Sequence, residues 1–314
     1  MREHYTRPWE GPLRDARHEF GAAVIDPAKY LGRRIPTSLT KAALYFWEPE
    51  QVAHHNQDAP RPNLIYPAYE DPVSLGLCKL AAQLEILDVR ALITKDMFPN
   101  PEVAAPWSKM RRLRIEFHPL RPDGRWYFIG PRGEDPHDSE EGGFKISDSH
   151  YPRDYDIEED GELDEEWEDD PLGGTDWDDD PDLFRTEPCR ERIEPLLKAF
   201  AEALTNSMPN LEVAEMYAAL WWTPSFRRAV EYGVGPEEAI ETKIHRWGVK
   251  YSAGEKGGDA TAPTVQWQVG DWRPSQDVMS IFESLGQQEW LDLEFTDGRK
   301  RGGLNGSLDG SSLF

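Results

Sequence analysis

A short apolar phrase recurs along the chain, in which an apolar residue is followed three and five positions later by further apolar residues. Three copies are clear, at residues 84–89, 110–115 and 208–213. Leu87 and Leu113, which hold the same position in the first two copies, are 26 residues apart. Leucine-rich-type repeats have a period of about 20–29 residues. The phrase therefore predicts the strand of a repeating unit.

Weaker copies of the phrase alternate apolar and polar residues with a period of two. They lie at residues 39–46, 264–269 and 290–295. This alternation is typical of a strand that buries one face and exposes the other. Because these copies match the phrase only loosely, the repeat is degenerate.

Helical periodicity separates several of these strands. Apolar residues fall on one face of a helix at residues 72–83, 191–207 and 275–285, with the spacing of three and four that a 3.6-residue turn requires. Helix followed by strand is then the repeating unit, and this order favours a parallel sheet lined by helices. The expected fold is an α/β, leucine-rich-repeat-like solenoid with a mostly parallel sheet.

A hairpin is expected between residues 112–118 and 125–129. Pro122, Asp123 and Gly124 separate these two apolar runs, and a Pro-Asp-Gly turn between alternating segments favours antiparallel pairing. We expect this hairpin to decorate one edge of the sheet.

Charge is concentrated in one segment of the chain. The formal net charge is −24, and residues 134–182 hold 23 acidic residues but only two basic ones, Lys145 and Arg153. Low apolar content and block charge leave such a segment unable to offset the entropy of ordering. We therefore expect a disordered acidic insertion at 134–182, one discontinuous repeat-like domain at 1–133 and 183–297, and a flexible tail at 298–314 that is rich in Gly and Ser.

Composition limits the cellular compartments and the classes of partner that we expect for this chain. Hydrophobic residues make up 38% of the chain and 12 residues are Trp, which is enough for a core. Cys78 and Cys189 cannot supply a disulfide framework or a zinc site. There is no apolar segment of a secretory signal or of a membrane span. We expect a cytoplasmic or nuclear protein that binds neither membrane nor nucleic acid.

Catalytic signatures are missing from the sequence. It contains no GxxxxGK[ST], no HExxH and no GxSxG, which would mark a phosphate-binding loop, a two-histidine zinc site and a nucleophile elbow. The pair Gly233 and Gly235 lacks the third glycine of a dinucleotide fingerprint, so a loop before a helix is expected there. We assign no catalytic, cofactor-binding or metal-binding residues.

Two near-matches to metal sites fail for physical reasons. Asp176, Asp178, Asp180 and Glu187 have the spacing of an EF-hand loop, but Pro181 replaces the glycine that its sharp turn needs. His54 and His55 are adjacent, and adjacent side chains seldom face one ion. The single histidines His118 and His245 fall in strand-like runs, where a hydrogen-bonded structural role is expected.

Arginine and tryptophan supply the candidates for partner binding. Three arginines flank a predicted strand just before the acidic insertion, and that charge complementarity motivates the hypothesis that the insertion masks them. Two adjacent tryptophans end a repeat strand, where either a contact role or burial in the core is open. The candidate residues are Arg111, Arg112, Arg114, Trp126, Trp221 and Trp222.

Several phrases in fixed order resemble the C-terminal, repeat-like region of fungal F-box proteins. They are LEILDV at 84–89, PDGRWYF at 122–128, an acidic insertion, IEPLL at 193–197 with AFA at 199–201, MPNLE at 208–212 and LWW at 220–222. The resemblance spans residues 75–251, a little over half the chain. It implies a region that recruits a target protein to a cullin ubiquitin ligase.

The chain departs from that family at its beginning. Its first forty residues contain no LPxE-type opening followed by a long leucine-rich helix, so binding to a Skp-type adaptor is not carried over. The expected function is noncatalytic protein–protein recognition. Alternatives are a ubiquitin-ligase substrate receptor with a cryptic F-box, which would bind a Skp-type adaptor, and an unrecognised enzyme.

Overall fold

A twisted central sheet organises the chain in a computed structural model, which describes residues 10–47, 56–100, 104–152, 182–233, 243–254 and 262–292 and the backbone of 295–297. The strands are β1 Lys41–Tyr45, β2 Ile86–Ala91, β3 Arg112–Phe117, β4 Phe128–Ile129, β5 Glu187–Pro188, β6 Val213–Trp222, β7 Lys243–Ser252, β8 Thr264–Gln268, β9 Gln287–Trp290 and β10 Phe295–Asp297. The helices are α1 Glu10–Ile25, α2 Pro27–Tyr30, α3 Pro72–Ala81, α4 Arg190–Asn206, α5 Phe226–Tyr232 and α6 Gln276–Leu285, with 3-10 turns at Lys95–Met97 and Asp148–His150.

Eight of these strands form one sheet in the order β1-β2-β3-β6-β7-β8-β9, and β10 also pairs with β7. β1, β2, β3 and β6 are parallel to one another, and β8 is parallel to β9. β7 runs antiparallel to β6, β8 and β10. The expected α/β class and mostly parallel sheet are confirmed. A regular solenoid is not shown, since β7 reverses the strand direction.

The register corrects one copy of the repeated phrase. Ile86 lies opposite Arg112 and Arg112 opposite Val213, which aligns residues 84–89 and 110–115 with 211–216 rather than with 208–213. Each aligned phrase buries its first, fourth and sixth residues. The third predicted strand was therefore placed three residues too early.

Helices cover one face of the sheet. The predicted helices at 72–83, 191–207 and 275–285 are confirmed as α3, α4 and α6, and α1, which no pattern indicated, packs beside α3. Alternate strand residues such as Leu87, Leu113 and Met216 are fully buried with the apolar faces of these helices. This layer forms the core.

The opposite face of the sheet carries rows of charged and aromatic side chains. Tyr217 donates to Glu116 at 3.0 Å and accepts from Arg114 at 2.6 Å. Arg90 donates to Glu116 at 3.1 Å, and Arg246 pairs with Glu215 at 2.5 Å. Side chains that neutralise one another across strands let this face remain polar.

The segment after β3 differs from the expected hairpin. The turn at 122–124 forms, with one antiparallel bridge between Leu120 and Trp126. β4 then pairs with β5 rather than with β3, because both edges of β3 are already paired with β2 and β6. The predicted strand at 290–295 is also wrong in its bounds, since β9 ends at Trp290 and a separate strand begins at Phe295.

Residues 134–152 fold, although disorder was expected to begin at 134. Asp135 forms ion pairs with the buried side chains of Arg185 and Arg192, and Ile146 is buried. Acidic residues in this part are thus neutralised by specific arginines, which a count of charges cannot reveal. The rest of the expected insertion, 153–181, and the expected tail lie outside the described residues.

None of the helices in the described part of the chain is both long and apolar enough to cross a membrane.

Candidate binding site

A cleft of about 450 Å³ opens at the carboxyl ends of β6 and β8. Clefts of roughly 300–1,000 Å³ with aromatic walls are typical ligand sites, and the carboxyl ends of strands are where open α/β sheets place them. The residues that give this cleft its chemistry are Glu187, Trp222, His245, Trp247, Asp271 and Trp272.

Strand pairing brings the first wall together. In the pairing of β6 with β7, Trp222 lies opposite Lys243 and Ala218 lies opposite Trp247. The side chains of Trp222, Lys243, His245 and Trp247 therefore share the helix-covered face of the sheet, towards the carboxyl end of β6. Trp222 contacts the ring of Tyr232 edge to face at 5.5 Å. Tyr232 in turn donates to Glu134 at 2.6 Å, so the folded acidic segment helps to position a cleft residue.

The other side of the cleft is formed by β5 and by the turn that follows β8. Glu187 belongs to β5, and Asp271 and Trp272 follow β8 after a turn at Gly270. Gly270 has φ of 60°, a conformation that favours glycine. The Trp272 ring is supported by the guanidinium of Arg190, whose Cζ lies 5.4 Å from the ring centroid. Aromatic side chains of the cleft are therefore held by neighbouring structure.

Trp247 forms part of the buried floor. Its side chain is 1% exposed, and its ring contacts Phe128 at 5.2 Å and Trp272 at 5.5 Å, both edge to face. Its indole N–H is buried and has no hydrogen-bond partner among the described residues. Trp247 therefore closes the floor of the cleft.

Titratable groups give the cleft a negative rim. Burial lowers the pKa of His245 to about 4, so its ring is neutral near pH 7. The pKa of Glu187 is raised by partial burial and then by the charge of Asp271. Within the described parts of the chain, neither Glu187 nor Asp271 forms an ion pair or a side-chain hydrogen bond. Both carboxylates are available to a ligand.

The arrangement suits binding of an organic group. Tryptophan faces attract cations and planar or apolar groups, and the two rim carboxylates accept hydrogen bonds. No group of three or more His, Cys, Asp or Glu side chains in the described ranges could hold a metal ion.

The three candidate arginines lie away from this cleft. Arg111 precedes β3, at the amino ends of the parallel strands and therefore opposite the cleft. It pairs with Glu212, which also contacts Arg112 at 3.5 Å. Arg114 lies on the polar face and contacts Asp88 at 3.4 Å. The proposed masking of these arginines by the acidic insertion concerns residues largely outside the described ranges and stays a prediction.

The three candidate tryptophans are separated. Trp126 is 4% exposed and lies against Arg61 and Arg185, with guanidinium carbons 5.8 and 5.1 Å from its centroid. Trp221 is half-buried on the polar face of β6, whereas Trp222 lines the cleft.

The histidine and glycine interpretations have mixed outcomes. His118 is buried and accepts from the backbone N–H of Leu120 at 2.8 Å, which confirms its structural role. Gly233 ends α5 with φ of 69°, and the helix expected after it falls on residues outside the described ones. His54, His55 and the acidic residues of the EF-hand-like stretch before Asp182 lie outside the described residues.

Sequence reasoning missed most of the cleft. Of its residues only Trp222 was a candidate, and His245 was assigned a structural role alone. Tryptophans at strand ends were the available signal, since Trp222 ends β6 and Trp272 follows β8 within a few residues. No local spacing connects Glu187 with Asp271.

Comparison with known proteins assigns this chain to no family. No family model matches the chain, and no curated protein or solved structure matches it significantly.

Proposed function

We propose that this chain is a noncatalytic recognition protein that holds a segment of a partner protein in the tryptophan-lined cleft. The supporting observation is the cleft itself, with its supported tryptophans and unpaired rim carboxylates. Tryptophan dominates binding energy at protein interfaces when it lines a pocket. Supported side chains lose little further freedom on binding, which favours affinity.

The arrangement of β1, β2, β3 and β6 is consistent with this role. These parallel strands begin with aligned apolar phrases and have helices on one face, as a degenerate repeat would. The resemblance to the target-binding region of F-box proteins points to the same class of function. Membership of a ubiquitin ligase would require a Skp-type adaptor to bind elsewhere on the chain.

A second candidate function is hydrolysis of a glycoside. It is favoured by one observation, the raised pKa of Glu187 beside a second carboxylate in an aromatic cleft. Glycoside hydrolases use two carboxyl groups, one with a raised pKa that acts as the acid. If this chain is such an enzyme, it releases sugar from oligosaccharides, and Glu187→Gln abolishes the release.

Site-specific photo-crosslinking tests the recognition function. The photoreactive residue p-benzoylphenylalanine is placed at position 222 of the full chain and, as a control, at position 69, where Tyr69 is fully exposed away from the cleft lining. In a native-source lysate we expect a discrete cross-linked protein from position 222, lost when excess unlabelled chain is added. Identical products from both positions, or none from 222, would contradict the proposal.

A further inference from the structure

Two carboxylates without an ion-pair partner in the described ranges lie at the rim of the cleft. Glu187 and Asp271 are exposed at its rim, and Lys243 is the basic residue in its lining. Lys243 has a contact of its own, and His245 is neutral near pH 7 because burial lowers its pKa to about 4. Arg190 pairs with Glu194, and Arg273 donates to the carbonyl oxygens of Gly270 and Trp272. The two rim carboxylates have no such partner within the described ranges, so they can accept from a cationic ligand.

Aromatic rings lie beside these carboxylates. Trp222 and Trp272 are half-buried walls of the cleft, and a guanidinium or ammonium within about 6 Å of a tryptophan centroid is attracted by the ring. The chain uses this contact itself, since Arg190 lies over Trp272 at 5.4 Å and Arg273 over Trp290 at 3.8 Å. Tryptophan walls with a carboxylate rim suit a cation that has an extended apolar stem.

Trp247 closes the floor of the cleft, and its side chain is 1% exposed. Its ring contacts the wall residue Trp272 edge to face at 5.5 Å. A ligand in the cleft would therefore pack against an aromatic floor, which suits the apolar stem of an arginine or lysine side chain.

We propose that the cleft is specific for an arginine or lysine side chain on an extended segment of the partner protein. This inference rests on the proposed function and names the chemistry that the cleft selects. The cation lies between the rim carboxylates and the tryptophan walls.

Matched peptides test the charge requirement. Three seven-residue peptides differ only at the central residue, which is arginine, lysine or citrulline, the neutral analogue of arginine. Each is titrated into the full chain labelled with ¹⁵N-tryptophan, and the indole resonances are followed by NMR. We expect the arginine and lysine peptides to shift the Trp247 indole signal, and the citrulline peptide to bind about tenfold more weakly or worse.

Charge-neutralising variants connect binding to the rim. Glu187→Gln and Asp271→Asn should each weaken the arginine peptide severalfold and reduce the effect of added salt on its Kd. Glu283→Gln, the same change at an exposed residue of α6 outside the cleft lining, should leave the Kd unchanged. Because Glu187 and Asp271 are exposed and unpaired, these variants should fold, which circular dichroism checks.

The outcomes separate this inference from the function on which it rests. Equal affinity for arginine and citrulline peptides, or no loss in Glu187→Gln and Asp271→Asn, overturns the cation specificity even when a protein cross-links at position 222. Shifts of the Trp247 signal by a cello-oligosaccharide, with none by the basic peptides, overturn it in favour of a carbohydrate site. If no protein cross-links at position 222, the proposed function fails.

Discussion

Glu187 shares the rim of the cleft with Asp271, and its pKa is raised by partial burial and then by that neighbouring charge. Replacing Asp271 with Asn removes the second cause and leaves the first. We therefore expect the pKa of Glu187 to fall in Asp271→Asn while staying above its ordinary value. The pH titration of the Glu187 side-chain carbon by ¹³C NMR measures this. Asp277→Asn, at an exposed residue of α6, is the matched control, and an unchanged pKa in Asp271→Asn would show that the carboxylates do not interact.

His245 should make the fold less stable in mild acid. Burial lowers its pKa in the folded state to about 4, whereas the unfolded state takes up a proton near the ordinary value of about 6.5. As pH falls from about 6.5 towards 4, protons stabilise the unfolded chain, and the loss approaches about 3 kcal/mol. Glu187 in the same cleft contributes with the opposite sign, because its folded-state pKa is raised.

Urea denaturation at pH 7 and pH 5 checks the histidine. The free energy of unfolding should fall between these pH values by less in His245→Gln than in the wild type, since glutamine does not titrate. An identical fall in the two proteins would rule out His245 as its source.

Local pattern was enough for much of the sheet and its helices. The recurring apolar phrase predicted β2 and β3, and period-two alternation predicted β1 and β8. Helical periodicity predicted α3, α4 and α6, because burial of one face leaves a local trace. Placement of β6 failed by three residues, since Met208 and Leu211 both fit the apolar phrase. Only pairing of Arg112 with Val213 decides between them, and pairing is not a local property.

The cleft was harder to predict, because its residues meet through topology. Three strands of the sheet, β6, β7 and β8, lie between Glu187 and Asp271 along the chain. Glu187 is placed by the pairing of β5 with β4, and residues 130–186 lie between those two strands in the sequence. The folded part of the acidic segment was missed for a related reason. Its composition indicates disorder, but Asp135 finds Arg185 and Arg192, and those contacts depend on the fold.

Asp135 should be essential for stability. It neutralises Arg185, whose side chain is fully buried, and Arg192, which is 3% exposed. Removing one partner of a buried ion pair leaves an uncompensated charge, so we expect Asp135→Ala to lower the free energy of unfolding by about 3 kcal/mol. Asp148→Ala, at an exposed residue of the same segment, should change it by less than about 0.5 kcal/mol. Chemical denaturation measures both, and equal small effects would mean that residues 134–152 do not pack as described.

Gly248 permits the close approach of β6 and β7. A Cβ at this position would lie 2.4 Å from the carbonyl oxygen of Met216 and 2.6 Å from the Cβ of Tyr217. We expect Gly248→Ala to destabilise the fold by about 1–3 kcal/mol through overpacking. In Gly76→Ala the new Cβ would meet no atom nearer than 3.3 Å, so this variant should lose less stability. Thermal denaturation measures both variants. The opposite ranking would contradict this strand register.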